Sequence, residues 1–301
     1  MTYLNSIHNE LITATLTPMG NDFNPDIDRF LKHINNLLKN NIDGILIFGT
    51  TGEGNSFSLK ERIYILEGIG QSVSCSNILV GAGSCAFKDV AELSKQAVRA
   101  QCRGVLLLPP FYYKNVSEDG LFGFFDSVIQ EVGEKDLKIY LYHIPQISGI
   151  SITSSLLEKL LKHHPGTIAG IKDSGGNVQQ TIEWCKNFPE LNIYTGNETF
   201  YWDTIRNGGR GCISATFNYS AFLGLQNLND NQTDLTVPDA EKIIQIRNII
   251  TSFPVIPALK FLISEKYQDP GWEIVRPPLV PLTEKQKLRL KKELQGISAW
   301  I

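Results

Sequence analysis

Residues 44–54 read GILIFGTTGEG, and residues 104–113 read GVLLLPPFYY. Each is a short run of unbroken apolar residues that stops at glycine, proline or paired hydroxyls. A strand with one face in water alternates apolar and polar residues. One that is apolar throughout is buried on both faces, as in a parallel sheet covered by helices. The pattern recurs along the chain, with strand candidates at 11–16, 44–48, 78–80, 105–108, 139–142, 168–171, 192–194 and 212–213. Between them lie amphipathic stretches with recognisable starts. Asn24-Pro25 places a cap and a first-turn proline ahead of Ile27, Phe30, Leu31, Ile34, Leu37 and Leu38. Ser58 and Glu61 form a capping box ahead of Ile63, Leu66 and Ile69. Ser117 and Thr153 are placed to cap two further helices, and Gly208-Gly209 to end the one that opens near Glu198.

Eight such units predict an α/β fold, a (β/α)8 TIM barrel, whose usual size is ~250 residues. The rival is a doubly wound sheet, but no G-x-G-x-x-G follows the first strand. From about Val237 the pattern is helical, through Ile243, Ile244, Ile246, Ile249 and Ile250, then Leu259 to Ile263. A last helix is expected at the capping box of Thr283 and Gln286. The reading therefore divides the chain into a barrel over 1–236 and a C-terminal helical extension over 237–301 packed on it.

Composition narrows the function classes. The chain has 301 residues, 42% hydrophobic and 20% charged, which excludes a disordered chain or a disulfide miniprotein. Lys plus Arg is 28 against 31 Asp plus Glu, a net charge of −3, so no footprint for nucleic acid or anionic lipid is expected. No apolar run reaches the ~20 residues of a membrane helix, and MTYLNSIHNE does not read as a signal peptide. Five scattered cysteines (Cys75, Cys85, Cys102, Cys185, Cys212) without a C-x-x-C pair read as thiols of a reducing compartment, so the expected location is cytoplasmic.

Chemistry in a barrel gathers at the carboxyl ends of the strands. After the second strand, Gly49-Thr50-Thr51-Gly52-Glu53-Gly54 offers two hydroxyls on a backbone that a ligand can approach closely. The loop suits a carboxylate or is simply a tight turn, and it lacks the Lys-Ser/Thr of a nucleotide loop. After the fifth strand comes YHIPQISG at 142–149, where Tyr142 is a proton relay or a packing tyrosine. His143 reads as structural or rim-facing, because no second ligand stands at metal spacing. After the sixth strand, Lys172 closes an apolar run. Desolvation at such a position favours a neutral, nucleophilic amine able to form a Schiff base; the alternative is a solvated strand-end lysine. Tyr142 and Lys172 are 172 − 142 = 30 positions apart, one βα unit, which places them at neighbouring strand mouths. Amine, phenol and carboxylate cradle together suit a 2-oxo acid handled through an iminium.

These segments closely resemble the dihydrodipicolinate synthase/N-acetylneuraminate lyase family of class I pyruvate-dependent aldolases. The resemblance is carried by GTTGE at 49–53, LPPFYY at 108–113, YHIPQISG at 142–149, GIKDS at 170–174, GCISAT at 211–216 and RPPLVPLTE at 276–284. It implies that Lys172 forms the Schiff base with pyruvate or the 2-oxo acid and that Tyr142 relays protons. It implies that Thr50 and Thr51, on the backbone that opens at Gly49, hold the carboxylate, with Thr50 also linking tyrosine hydroxyls. Ile213 is implied to lend a backbone carbonyl near the pyruvate. Tyr113, or its neighbour Tyr112, corresponds to a tyrosine inserted from a neighbouring subunit, so a homo-oligomer, tetramer or dimer, is expected. Neither a metal nor an organic cofactor is implied. Dihydrodipicolinate synthases carry an arginine two residues after the proline of the tyrosine motif, where this chain has Ile147, which cannot make an arginine's bidentate contact. Asn197 and Glu198 stand where N-acetylneuraminate lyases bind a polyol, but Ala215 replaces an expected serine. The motifs look nearer to the 2-keto-3-deoxy sugar acid aldolases. The function expected is therefore reversible cleavage of such an acid to pyruvate and an aldehyde. The alternatives are a dihydrodipicolinate-forming synthase, an N-acetylneuraminate lyase or a non-catalytic oxo-acid-binding protein.

Overall fold

A computed structural model of the protein describes residues 9–223 and 238–297. Eight parallel strands follow one another around a closed barrel: β1 (Glu10–Ala14), β2 (Gly44–Ile47), β3 (Ile78–Gly81), β4 (Gly104–Leu107), β5 (Ile139–His143), β6 (Ile168–Asp173), β7 (Asn192–Thr195) and β8 (Gly211–Ser214). The helices are α1 (Ile27–Lys39), α2 (Leu59–Gly70), α3 (Phe87–Arg99), α4 (Glu118–Val132), the short α5 (Pro145–Ser148), α6 (Ser154–His163), α7 (Val178–Asn187), α8 (Tyr201–Arg206) and the short α9 (Phe217–Ser220). After the barrel come α10 (Pro238–Thr251), α11 (Val255–Tyr267) and α12 (Glu284–Gln295). This is the expected (β/α)8 barrel with C-terminal helices. The expected division at 236/237 lies outside the described residues. No single helix among them is long and apolar enough to cross a membrane, and no disulfide joins the five cysteines.

Local chemistry sets the element ends, and in one place it differs from the sequence reading. Asp26, not Asn24, caps α1: its carboxylate accepts from Arg29 N at 2.9 Å, so Pro25 stays outside the helix. The helix expected to open near Glu198 and to end at Gly208-Gly209 does so: it starts with a 3-10 turn capped by Asn197, and α8 passes through its C-cap Asn207 to left-handed Gly208 (φ 92°). The caps at Ser58, Ser117, Thr153 and Thr283 stand where expected. Strands β5 and β6 run further than their apolar cores, to His143 and Asp173, so Tyr142 and Lys172 lie within hydrogen-bonded strand.

Among the described residues the chain forms two compact units, 9–11 with 75–213 and 12–74 with 214–223 and 238–297. In the first, β3 to β7 pair in parallel register, Val105 with Ile139, Tyr142 with Lys172 and Lys172 with Tyr194. At the amino ends of its strands, Glu10 accepts from Tyr194 Oη and from Arg210 Nη2, each at 2.6 Å, and from Arg103. Burial pushes the Glu10 carboxyl up, yet these donors together hold it below its ordinary range. In the second unit the C-terminal helices pack a core of Leu16, Ile250, Leu259, Leu262, Trp272 and Leu290.

His33 of α1 lies wholly inside that second core. Its Nδ1 and Nε2 sit 2.9 Å from Tyr267 Oη and from Asn218 Oδ1, the second of which also accepts from Leu16 N. Burial pulls His33 down from 6.5 to about 4. Between those values the unfolded chain binds a proton that the folded one refuses, so stability rises with pH across the window. Acidification from pH 6.5 to 4 is therefore expected to cost about 3 kcal/mol through this group, by 1.36 kcal/mol per pH unit. Denaturant unfolding at several pH values checks this, and the His33→Gln variant is expected to lose that component of the slope.

Candidate active site

Two short strands place the amine and the phenol. In β5 (IYLYH) and β6 (IAGIKD) successive side chains alternate faces, and residues in register on parallel neighbours share a face. Tyr142 and Lys172 are in register. Both are buried, at 5% and 4% exposure. Lys172 Nζ lies 3.4 Å from Tyr142 Oη and 4.4 Å from the centre of its ring. The separation is at the long end of a hydrogen bond. An amine able to attack a carbonyl thus has a phenol beside it able to take and return protons.

The opposite faces of the same strand ends are clamped. His143 and Asp173 are the next registered pair. Asp173 Oδ1 accepts from Gly175 N at 2.8 Å and its Oδ2 from Thr181 Oγ1 of α7 at 2.6 Å. Its carbonyl accepts from Gly196 N at 2.6 Å. His143 Nδ1 accepts from Ile152 N at 3.1 Å, which puts the proton of the neutral ring on Nε2. Burial holds the His143 pKa below its ordinary value, with the Asp173 charge opposing, and the ring packs edge-on to Trp184 at 5.0 Å. His143 is therefore structural, one of the two readings the sequence left open. Asp173 was not singled out, although period-two alternation around the Tyr142/Lys172 pair would have put it on the outer face.

The hydroxyl loop belongs to the other compact unit. Gly49 to Gly52 are bracketed by two left-handed residues that are not glycine, Phe48 (φ 57°) and Glu53 (φ 54°). Glu53 N donates to Thr50 O and Gly54 N to Gly49 O, each at 3.1 Å, closing a tight turn with Thr50 exposed and Thr51 buried. Thr17 Oγ1 donates to Gly52 O at 2.8 Å. A Cβ on Gly54 would fall 1.9 Å from Phe48 O, so no other residue fits there. Under the turn, Glu53 and Lys260 of α11 pair with neither side chain exposed, Nζ to Oε1 2.5 Å, and Arg276 N donates to Glu53 Oε2 at 2.8 Å. Sequence reading missed Glu53 as a functional residue, and missed Lys260 and this use of Arg276.

The remaining expected positions are as follows. Ile213 sits in β8 with no exposed surface. Tyr112 and Tyr113 are 74% and 70% exposed and meet edge to face at 5.3 Å. Ile147 stands 58% exposed on α5. Glu198 is buried, and Asn197 caps the turn beside it. Among the described residues no three His, Cys, Asp or Glu side chains are grouped to hold a metal ion.

Residues 8–297 match the model of the Dihydrodipicolinate synthetase family. The chain belongs to that family. Its members are class I, pyruvate-dependent lyases and aldolases. The 4-hydroxy-tetrahydrodipicolinate synthase of Bacillus subtilis (strain 168) is 29% identical over 95% of this chain and 98% of its own length. The 2-dehydro-3-deoxy-phosphogluconate/2-dehydro-3-deoxy-6-phosphogalactonate aldolase of Saccharolobus solfataricus is 24% identical, covering 96% of each chain. Among solved structures, dihydrodipicolinate synthase from Agrobacterium tumefaciens str. C58 superposes with a TM-score of 0.87 at 32% identity, over 95% of this chain and 99% of that one. The family thus spans both the synthase and the sugar-acid aldolase expected from the motifs.

The clamp on β6 has a measurable value. Replacing Asp173 by Ala leaves the Gly175 N–H and the Thr181 hydroxyl without their acceptor, at a typical ~1–3 kcal/mol for each buried group. Asp173→Ala is expected to lower the thermal midpoint by several degrees, read by calorimetry, whereas Thr181→Ser is expected to stay near wild type.

Proposed function

We propose that the protein is a Schiff-base aldolase that reversibly cleaves a 2-keto-3-deoxy sugar acid to pyruvate and an aldehyde. The observation that carries the reading is the buried Lys172 amine 3.4 Å from the Tyr142 hydroxyl on adjacent registered strands. Lys172 Nζ attacks the C2 carbonyl to give a carbinolamine, and Tyr142 passes the proton that lets the C2 hydroxyl leave as water. The iminium withdraws the electron pair of the C3–C4 bond as the C4 hydroxyl gives its proton to Tyr142, releasing the aldehyde and an enamine. Protonation at C3 and hydrolysis return pyruvate and the free amine. The protonated iminium is the electron sink, so the scheme calls on no metal or organic cofactor.

The family motif gives the remaining roles. Thr50 and Thr51, with the backbone at Gly49, bind the carboxylate and fix a near-attack pose. The Ile213 carbonyl approaches the pyruvate. Tyr113, or Tyr112, is offered to a neighbouring copy, and the exposure of both rings supports a homo-oligomer, a tetramer or dimer. A cytoplasmic location accords with five cysteines and no disulfide.

The synthase reading is favoured by the identity to the Bacillus and Agrobacterium enzymes. Against it, Ile147 presents an apolar side chain where the synthases of the family place an arginine. An N-acetylneuraminate lyase and a binding protein without activity are the further alternatives. Incubation with pyruvate, borohydride reduction and peptide mass spectrometry are expected to place an adduct on Lys172. Wild-type cleavage activity in Lys172→Ala would refute the scheme, and Tyr142→Phe is expected to slow turnover by about 10²–10⁴-fold. Failure to rescue a lysine auxotroph, together with pyruvate release from a 2-keto-3-deoxy sugar acid, is the result expected of the aldolase rather than the synthase.

A further inference from the structure

The turn that carries Thr50 and Thr51 is held from below by a buried ion pair whose other half lies in the C-terminal helices. Glu53 closes the turn through its own N–H to Thr50 O and does so in a left-handed conformation that is unfavourable for a residue other than glycine. Such strain persists only where the surroundings over-determine it. Here they do. The carboxylate is fully buried, one oxygen accepts from Arg276 N at 2.8 Å, and the other lies 2.5 Å from Lys260 Nζ. Ammonium and carboxylate thus form an ion pair with both side chains out of solvent. Lys260 is anchored in turn by donating to Ile274 O at 2.5 Å. The Arg276 guanidinium lies 4.0 Å from the centre of the Phe57 ring and pairs with Glu61, the capping-box residue of α2.

A stable core does not require this arrangement. An apolar pair of similar volume would pack as well or better, because burying two charges costs several kcal/mol before their attraction is counted. What an ion pair adds is a defined position for the backbone that carries it. We propose that Glu53 is a positioning residue for the Thr50–Thr51 turn, and that Lys260 sets the turn by holding the Glu53 carboxylate. The inference rests on the assignment of those threonines to the substrate carboxylate. It gives the C-terminal extension a part in substrate binding although it supplies none of the reacting groups.

The test follows pyruvate adduct formation on Lys172 in the full-length protein. Lys260→Met removes the cation at nearly constant volume. Glu53→Gln keeps the shape and the acceptor for Arg276 N while removing the charge. Each is expected to raise the pyruvate concentration for half-maximal adduct formation by about tenfold and to leave the limiting rate at saturating pyruvate within about threefold of wild type. The double variant Glu53→Gln/Lys260→Met, with no buried charge left unpaired, is expected to regain the wild-type thermal midpoint while its half-saturation stays raised. It also decides the matter where a single variant does not fold. Unchanged half-saturation in folded single variants, or half-saturation that recovers with thermal stability in the double, would overturn the positioning role. An adduct in wild type with no shift in the variants defeats this inference alone. No adduct at Lys172 in wild type defeats the aldolase reading, and this inference with it.

Discussion

The register between β5 and β6 is the constraint on which the candidate site depends. It puts Tyr142 opposite Lys172 and, one step on, His143 opposite Asp173. Because strand side chains alternate, a slip of β6 by one residue would break both pairs, turning the amine to the outer face and a carboxylate to the inner one. The outer pair resists such a slip. Asp173 ties the end of β6 to α7 and to the Gly175 backbone, and His143 ties the end of β5 to Ile152. The Tyr142/Lys172 pair is therefore held in place by residues on the reverse face of its own strands.

Two buried lysines show how the partner decides the use of an amine. Lys260 faces a carboxylate and a carbonyl. Its ammonium is drawn below the usual lysine range by burial, and the Glu53 charge opposes this. Bound in that way, it serves as a fixed charge. Lys172 faces a phenol, which can accept or donate a proton without neutralising the amine by an ion pair. The first arrangement fixes an amine by charge, whereas the second sets one beside a hydroxyl. Burial alone does not distinguish them, since both side chains are inaccessible.

How legible this was in the sequence depended on the range of the interactions. Unbroken apolar runs such as ILIF and VLLL identified the strands, and local capping pairs identified helix starts, because both signals act over a few residues. Where two local signals competed, as at Asn24-Pro25 and Asp26, the carboxylate that could reach Arg29 N prevailed. The Tyr142/Lys172 pair was readable from one βα repeat. Glu53 and Lys260 are 260 − 53 = 207 positions apart, and neither stands in a pattern that names the other. Only the fold brings a glutamate in a glycine-rich turn to a lysine on an apolar helix.

The two ends of the first unit divide the work of the barrel. Tyr194 stands in register with Lys172, yet its hydroxyl reaches back to Glu10, Arg103 and the network at the amino ends of the strands. Burial, together with the neighbouring Glu10, keeps that phenol protonated far above its ordinary range, so it donates to the carboxylate. Tyr142, one strand over, has the amine for a neighbour instead. A tyrosine in register with Lys172 is thus not by that alone placed beside its amine. The direction of the hydroxyl, toward a buried carboxylate or toward the amine, separates the two phenols.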